Sequence, residues 1–315
     1  MRLALILVAM FVVGLGIVVG FRGLGSWRVR EERLAQEISV APTPVTCEFS
    51  IAAVGDVMLG RTVQEQMLKK NDWAWPFALT ADRLKAADMT VGNLEAALVT
   101  RCYQKENRFI LCARPEARAG LMSAGFDVLS MANNHTLNWG QAGYAESVKL
   151  LKEVGIDTVD KERVVIKEVC GVKVGIIGLD DVSAPLKLNE MRAQVASVAA
   201  QVEIPVVLIH WGGEYQVEAG TRQREVAQVL SEAGAKIVIG HHPHWVQPVE
   251  KVGDTLVFWS LGNFVFDQMW SEETRRGEIA EIGLQITDNR LIVIDYKLIP
   301  VKIYEFGQPR VIQSP

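Results

Sequence analysis

The sequence predicts an α/β fold for residues 48–315. Short apolar runs rich in β-branched residues alternate with longer amphipathic stretches, which is typical of buried strands joined by helices. With 315 residues, 49% of them hydrophobic, the chain can bury a substantial core. In the last third, strand-like runs follow one another and are separated by turn residues. We therefore expect an α/β core closed by antiparallel strands.

The elements of this core follow from the same patterns. The predicted strands are FSIAAV, DMTVG, FDVLSM, VKVGIIGL, IPVVLIH and AKIVIG. The predicted helices are Thr62–Lys69, Arg114–Ala124, Ala142–Val154 and Gly220–Ala233. From Val246 to Ile312 we expect antiparallel strands, with turns at VGD and TDN.

An uncharged apolar segment, Leu3 to Phe21, precedes the core. At about 19 residues it nearly spans the hydrocarbon layer of a membrane. We expect residues 1–22 to be a transmembrane anchor, with a cleaved signal peptide as the alternative. Residues 23–47, which are charged and then rich in proline and threonine, are predicted to form a stalk. Several arginines follow the apolar run, and by the positive-inside rule they argue against export of the domain.

Composition narrows the classes of partner and site. The formal net charge is -4, so the chain lacks the basic surface that nucleic-acid binding usually requires, and we expect no nucleic-acid partner. The four cysteines show no C-x-x-C spacing, which argues against a thiolate zinc site. Cys102 and Cys112 are either a disulfide or two free thiols, because sequence does not give their Cα separation.

All five histidines lie at or just beyond the ends of predicted strands. They occur in SMANNHT, VVLIHWGGEY and VIGHHPHW, while Asp56 and Glu95 follow two further strands. Ligands of α/β sheets bind outside the carboxyl ends of the strands, so these side chains are expected to converge. Imidazole, carboxylate and amide groups suit manganese, zinc or iron. The sequence therefore predicts a metal centre, the alternative being polar loops with solvated imidazoles.

Residue spacing refines this centre. Side chains two apart in an extended segment point the same way, so His242 and His244 are expected to reach one site while His241 faces elsewhere. The sequence has no G-x-S-x-G motif, and no cysteine stands beside a histidine. Water activated by a metal is then the natural attacking group.

Six motifs carry a resemblance to a known family. GDVMLGR, GNLEAAL, ANNHTLNWG, HWGGEY, GHHPHWVQ and SLGNFVF, in this order, resemble the bacterial capsule-synthesis family typified by the poly-γ-glutamate proteins. The resemblance extends from about Ile51 to Asp267. That family is in turn similar to calcineurin-like metallophosphoesterases. The resemblance implies a four-layer α/β/β/α sandwich that binds one or two divalent ions.

The resemblance also implies roles for individual residues. The implied metal ligands are Asp56, Glu95, Asn134, His210, His242 and His244. Asn93 is an alternative to Glu95 as a ligand bridging two ions, and His135 is expected to contact substrate or donate a proton. Met58 departs from the phosphoesterase pattern, because it stands where a histidine ligand is expected. A single ion, or a weak second site, is therefore expected.

Asn93 and four further residues are candidates for contact with substrate. Arg61 is expected either to hold an anionic group of the substrate during catalysis or to lie on the surface at a helix start. Glu214 and Tyr215 follow His210 and are expected to line the cleft. Asn263, in SLGNFVF, is expected either to contact the site or to form a turn.

Together these features predict a membrane-anchored, metal-dependent hydrolase acting in capsule or poly-γ-glutamate synthesis or processing. The bond cleaved would be a phosphoester or a γ-linked amide. The alternative is a non-catalytic assembly or export factor that binds an anionic polymer such as poly-γ-glutamate. The expected partners are that polymer, membrane lipid and other capsule-synthesis membrane proteins. The resemblance favours a single-pass protein with an extracytoplasmic domain.

Overall fold

The computed structural model describes residues 47–103, 109–169, 171–287 and 290–313. All of these described residues belong to one compact unit. The predicted anchor and, apart from Cys47, the predicted stalk lie outside the described residues. Within the ranges that are described, no helix is long and apolar enough to cross a membrane.

Sixteen strands and six α-helices are found in the described ranges. The strands are β1 Cys47–Val57, β2 Met89–Leu94, β3 Ala97–Leu98, β4 Cys112–Ala113, β5 Val128–Ser130, β6 Asp157–Val159, β7 Val164–Val169, β8 Val172–Asp180, β9 Ile204–His210, β10 Ile237–His241, β11 Val246–Val252, β12 Thr255–Leu261, β13 Asn263–Val265, β14 Arg276–Thr287, β15 Arg290–Tyr304 and β16 Gln308–Val311. The helices are α1 Arg61–Lys70, α2 Ala81–Leu84, α3 Arg118–Ala124, α4 Gly140–Glu153, α5 Leu188–Ala199 and α6 Thr221–Glu232.

The strands form two large sheets. The first has the order β16-β15-β14-β1-β2-β5-β6, with β13 beside the end of β1. The second has the order β11-β12-β10-β9-β8-β7, and β3 pairs separately with β4. The strands β1, β2, β5 and β6 run parallel, as do β8, β9, β10 and β12. Each sheet therefore has a parallel centre whose carboxyl ends can carry a site.

The alternation of side chains along the central strands separates three apolar cores. On β1, Ile51 and Ala53 join the core between the two sheets, whereas Ala52 and Val54 face α1, α3 and α4. The strand β9 does the same on the other sheet, with Val207 packed towards α5 and α6. The layers are thus helix, sheet, sheet and helix, which buries both faces of the central parallel strands of each sheet.

The structure confirms the predicted α/β class. Every strand and helix predicted from the sequence overlaps an observed one. Helix α5 was not predicted, although its buried Met191, Val195 and Val198 have helical spacing. The antiparallel strands of the last third do not form one block, because β11 and β12 extend the second sheet while β14 to β16 extend the first. Cys102 and Cys112 form a disulfide with a Cα separation of 5.7 Å.

Candidate metal centre

The centre lies where the carboxyl ends of both sheets meet. Asp56 on β1 is in register with Asn93 on β2 and with Asn263 on β13. On the second sheet, His210 at the end of β9 is in register with His241 at the end of β10. Parallel pairing therefore brings residues distant in sequence to one edge, as the sequence predicts.

Asp56, Glu95 and His244 form one group of donors, called here the carboxylate half. One ligand atom from each lies within 4.8 Å of the others, and all three side chains are buried. Nδ1 of His244 is 3.3 Å from Oδ2 of Asp56, and its Nε2 is 3.8 Å from Oε1 of Glu95. One imidazole thus lies between two carboxyl groups.

The charges in the carboxylate half are strongly coupled. Burial raises the pKa of Glu95 to about 8, and the nearby Asp56 charge adds to this increase. Burial alone would lower the pKa of His244, but the charge of Glu95 and the contact with Asp56 raise it to about 9. Burial also opposes ionisation of Asp56, yet its hydrogen bond with His244 keeps its pKa well below the usual range. A proton on His244 therefore supplies the positive charge that a bound cation would supply instead.

His210, His242 and Asn134 form a second group, called here the imidazole half. The rings of His210 and His242 have centroids 4.7 Å apart, and Oδ1 of Asn134 accepts a hydrogen bond from Nε2 of His210 at 3.0 Å. Burial lowers the pKa of His210 well below its ordinary value, and burial lowers that of His242 to about 4. Both imidazoles are therefore neutral at pH 7, the form that binds a metal.

Buried amides connect and orient the two halves. Nδ2 of Asn93 donates to Oδ1 of Asp56 at 2.8 Å and lies 3.3 Å from Nδ1 of His210, so Asn93 contacts a member of each half. Oδ1 of Asn263 accepts from Nδ1 of His244 at 2.9 Å. Both amides are fully buried, which gives them an orienting position beside the ligands.

The donor set fits a divalent cation. Oε2 of Glu95 and Nδ1 of His242 are buried and have no hydrogen-bond partner, although buried polar atoms are normally paired. Each belongs to one of two overlapping groups of potential ligands, one in the carboxylate half and the other formed by Glu214, His242 and His244. Nitrogen and carboxylate oxygen donors at this spacing suit zinc, manganese or iron. These two orphaned atoms are the ones that a cation would satisfy.

The backbone around the centre is held in an unusual conformation. Arg61, Tyr215, His242 and His244 all have positive φ, between 49° and 95°. Non-glycine residues seldom adopt this region unless the surroundings stabilise it, and such residues cluster at functional sites. The loop that carries His242 and His244 therefore has a conformation that its surroundings must stabilise.

The other candidate residues lie around this core of donors. Nε2 of His135 is 3.5 Å from Oε1 of Glu95. Tyr215 lies at the rim, with its ring centroid 6.2 Å from that of His244. Arg61 forms an ion pair with Asp267, so its charge is already balanced. His241 lies outside the donor groups, and its Nε2 donates to the carbonyl of Val54 at 3.1 Å.

Met58 explains why the expected histidine ligand is missing from the carboxylate half. Its side chain is fully buried in the apolar core under α1, α3 and α4, and its sulfur accepts a hydrogen bond from the Gly60 amide at 3.1 Å. Position 58 therefore serves packing here and supplies no metal donor.

The sequence matches the family described as bacterial capsule synthesis protein PGA_cap over residues 50–268, more than half of the chain. The chain belongs to the PGA_cap family. This result confirms the resemblance of the six motifs.

This PGA_cap chain is similar to two named relatives and to two solved structures. It is 31% identical over 295 residues to the capsule biosynthesis protein CapA of Bacillus anthracis, covering 85% of this chain and 70% of that protein. It is 30% identical over 260 residues to the PGA biosynthesis protein CapA of Bacillus subtilis (strain 168), covering 75% of this chain and 68% of that protein. The calcineurin-like phosphoesterase YfkN from Bacillus subtilis is 15% identical, with a TM-score of 0.49 and coverage of 80% and 90%. A hypothetical protein from Thermus thermophilus is 13% identical, with the same TM-score and coverage of 82% and 100%.

Sequence reasoning missed three polar residues at the PGA_cap centre. Nδ2 of Asn133 donates to Oδ1 of Asn93 at 3.0 Å. Oδ1 of Asn138 lies 3.1 Å from Nδ1 of His135. Asp267 pairs with Arg61 from 206 residues away, which no local pattern indicates. Asn133 and Asn138 lie in the ANNHTLNWG motif itself, so their spacing from His135 is the signal that could have found them.

A cavity of about 510 Å³ opens beside Asn134. Its apolar lining includes Leu179, Leu186 and Met191. Its charged lining consists of Asp160, Glu162, Asp180, Glu190, Lys161 and Lys187. Four acidic and two basic side chains give the cavity an excess of negative charge, in a volume that suits a small ligand.

Proposed function

We propose that this chain is a membrane-anchored, metal-dependent hydrolase of phosphoesters that acts in the synthesis or processing of capsule or poly-γ-glutamate. The buried, unpaired atoms of Glu95 and His242, within two overlapping groups of donors, carry this proposal. A metallophosphoesterase-like sandwich, as the motifs imply, would use such a centre at its sheet edge. The names of the Bacillus relatives support the biological setting.

The chemistry follows from the donors. One or two divalent cations bound here would supply a Lewis acid that activates water and stabilises developing negative charge. Asp56, Glu95, His244, His210, His242 and Asn134 would hold these ions. His135 lies beside Glu95 and is partly exposed, so it can move a proton to or from a bound ester through Nε2. Burial lowers the pKa of His135, which keeps the ring neutral at rest.

A second candidate function is a non-catalytic factor that binds anionic polymer for assembly or export. The relatives named for capsule and PGA biosynthesis favour it. The charges near the centre oppose it, because Arg61 is paired with Asp267 and the adjacent cavity has more acidic than basic side chains. A polyanion would be repelled there unless a metal neutralised it locally.

We place the domain outside the cytoplasm, anchored through residues 1–22 in membrane lipid and close to other capsule-synthesis membrane proteins. The disulfide between Cys102 and Cys112 supports this side, because disulfides persist in oxidising compartments. Protease digestion of intact spheroplasts tests the orientation. Cleavage of the domain without lysis is expected, whereas complete protection would contradict an external domain.

The function is tested on the full chain purified in detergent. Bound metal is measured, and hydrolysis of a phosphodiester, a phosphomonoester and γ-glutamyl oligomers is followed with added manganese, zinc or iron. We expect metal-dependent cleavage of a phosphoester that His135→Ala reduces while metal binding is retained. Cleavage of γ-glutamyl oligomers alone would show that the bond hydrolysed is an amide and not a phosphoester. A wild-type protein that binds no metal and cleaves none of these would leave the assembly factor as the better account.

A further inference from the structure

The cavity beside Asn134 continues the sheet edge that carries the metal centre. Asn134 lines this cavity and also accepts the hydrogen bond from Nε2 of His210. Asp180, another lining residue, ends β8 and is in register with His210 at the end of β9. On the first sheet the lining includes Asp160, which directly follows β6. The cavity therefore lies at the carboxyl ends of strands that neighbour those of the metal centre.

The two sheets come into backbone contact where this cavity begins. A Cβ atom at Gly178 would lie 2.8 Å from the carbonyl oxygen of Val159, so only glycine allows β8 to approach the end of β6 this closely. Asp160 and Asp180 follow within two residues of this contact. The packing of the sheets therefore sets where the two carboxylates stand.

The carboxylates of Asp160 and Asp180 keep their negative charge without a cationic partner. Each accepts hydrogen bonds from two backbone N–H groups, at 2.8–3.1 Å, and from one hydroxyl group. All of these donors are uncharged. Neither carboxylate forms an ion pair among the residues that the structure describes.

The charges at the rim of the cavity cancel. Nζ of Lys187 pairs with Oε1 of Glu190 at 2.9 Å, while the adjacent Lys161 and Glu162 are both exposed and opposite in sign. The lining has four acidic and two basic side chains, which leaves two negative charges. These two charges are those of the carboxylates at the strand ends.

This combination of charge and shape favours one class of ligand. A carboxylate that already accepts three hydrogen bonds has few free lone pairs but keeps its charge. It attracts a cation without requiring a directed hydrogen bond. The walls formed by Leu179, Leu186 and Met191 favour an apolar body. An alkylammonium group combines a positive charge with such a body.

We propose that the cavity binds the alkylammonium part of an organic phosphoester, a specificity that rests on the proposed hydrolysis. Asp160 and Asp180 attract the positive charge, and the apolar walls contact the alkyl groups. The phosphoester group then lies towards the metal centre, on the other side of Asn134. A substrate part that carries negative charge, such as a glutamate chain, is repelled from the same cavity.

Ligand binding without added metal tests the cavity separately from hydrolysis. The full chain is purified in an uncharged maltoside detergent, because zwitterionic head groups would compete. Choline and its uncharged isostere, in which carbon replaces the nitrogen, are titrated by ligand-observed NMR, with protein-free micelles as background. We expect choline to bind about 10-fold more tightly, because two negative charges attract it within apolar walls. Equal binding of the two ligands would overturn the proposal.

Three substitutions locate the binding. Asp180→Asn keeps an oxygen for the backbone N–H groups but removes one charge, so it should weaken choline binding about 5- to 10-fold and leave the isostere unchanged. Asp254→Asn, in an exposed turn, is the matched control and should change neither. Ala184→Trp fills the cavity from an exposed wall position and should weaken both ligands, even if Asp180→Asn does not fold. Unchanged choline binding in either cavity variant would overturn the proposal.

Hydrolysis by the metal-loaded chain links the cavity to the proposed function. The p-nitrophenyl phosphodiesters of choline and of its isostere have the same leaving group and differ only in the charge that enters the cavity. We expect KM to be about 10-fold lower for the choline ester, with similar kcat, and Asp180→Asn to remove this difference. Selective choline binding without hydrolysis of either ester would overturn the hydrolase but not the cation site. Hydrolysis of both esters with equal KM would overturn only the cation site.

Discussion

The two halves of the candidate centre differ in charge more than in geometry. In the carboxylate half, Asp56 and Glu95 surround His244, and the pKa of His244 is raised to about 9. In the imidazole half, His210 and His242 have lowered pKa values and are neutral, as is Asn134. One half therefore holds carboxyl groups and a proton, whereas the other holds uncharged donors.

This difference shows how a pair of cation sites can be graded in affinity. A divalent cation gains most from anionic oxygen, so the carboxylate half is expected to bind the first ion. Near the imidazole half lie Asp56, whose Oδ2 accepts from the His242 amide, and Glu214, whose side chain is exposed. Because Met58 stands where a histidine ligand is expected, the carboxylate half offers fewer donors to an ion. The negative charge of its carboxyl groups is expected to compensate for the missing donor.

Removing a carboxylate should have the largest effect. Asp56→Asn keeps the size of the side chain but removes the anion that His244 and the His242 amide contact. We expect metal affinity to fall by more than about 100-fold, because outer partners of a ligand alone contribute about 10- to 100-fold. Isothermal titration with manganese or zinc measures this loss. The matched control is Asp254→Asn in an exposed turn, and unchanged affinity in Asp56→Asn would refute the grading.

Removing a neutral donor should have a smaller and more selective effect. His210→Ala deletes one imidazole but leaves the carboxylate half intact. We expect the second ion to bind about 10-fold more weakly while the first binding step stays close to that of the wild type. The stoichiometry and the two stepwise constants from the same titration separate these effects. If His210→Ala weakened binding of the first ion as much as Asp56→Asn does, the two halves would not differ as described.

A half-buried carboxyl group away from both halves is expected to leave metal binding unchanged and serves as a reference for desolvation alone. Burial raises the pKa of Glu278 from 4.5 to about 7, its Oε2 has no hydrogen-bond partner, and it is paired in register with Pro300, which has no N–H. Because the folded pKa is the higher one, ionisation costs stability above pH 7, and the cost disappears below pH 4.5. Glu278→Gln should therefore stabilise the fold by about 1–3 kcal/mol at pH 8 and change it little at pH 4.

Chemical denaturation at both pH values, with and without metal, checks the Glu278 prediction. Metal should leave the effect of Glu278→Gln unchanged. An equal gain at pH 4 and pH 8 would show that the substitution acts through packing rather than through ionisation.

Much of the fold and the centre could be predicted from the sequence because the signals are local. Strand periodicity predicted the strands of both sheets, and the positions of histidines after strands predicted that their side chains meet at one edge. The pairing of His242 with His244 was expected from extended backbone, yet φ is 95° and 57° at these residues. The two side chains converge through a left-handed loop, so that expectation was right for a different physical reason.

The remaining features depend on contacts between distant segments. The ion pair of Arg61 with Asp267 and the alignment of Asp56 with Asn263 join residues about 200 positions apart. The burial of Met58 in an apolar core likewise depends on helices packed from elsewhere in the chain. Sequence patterns report periodicity and residue type, but they do not report which partner already neutralises a charge.

His244 contributes to both groups of potential ligands, since it faces Asp56 and Glu95 in one and Glu214 and His242 in the other. An ion bound by either group would fix the rotation and the protonation of the His244 ring. Binding of the second ion would therefore depend on the state in which the first ion holds this ring. Whatever factor the first ion imposes on the affinity of the second, the second must impose on the first. The centre would then respond to cation concentration as a linked pair of sites, in which the occupancy of each depends on the other.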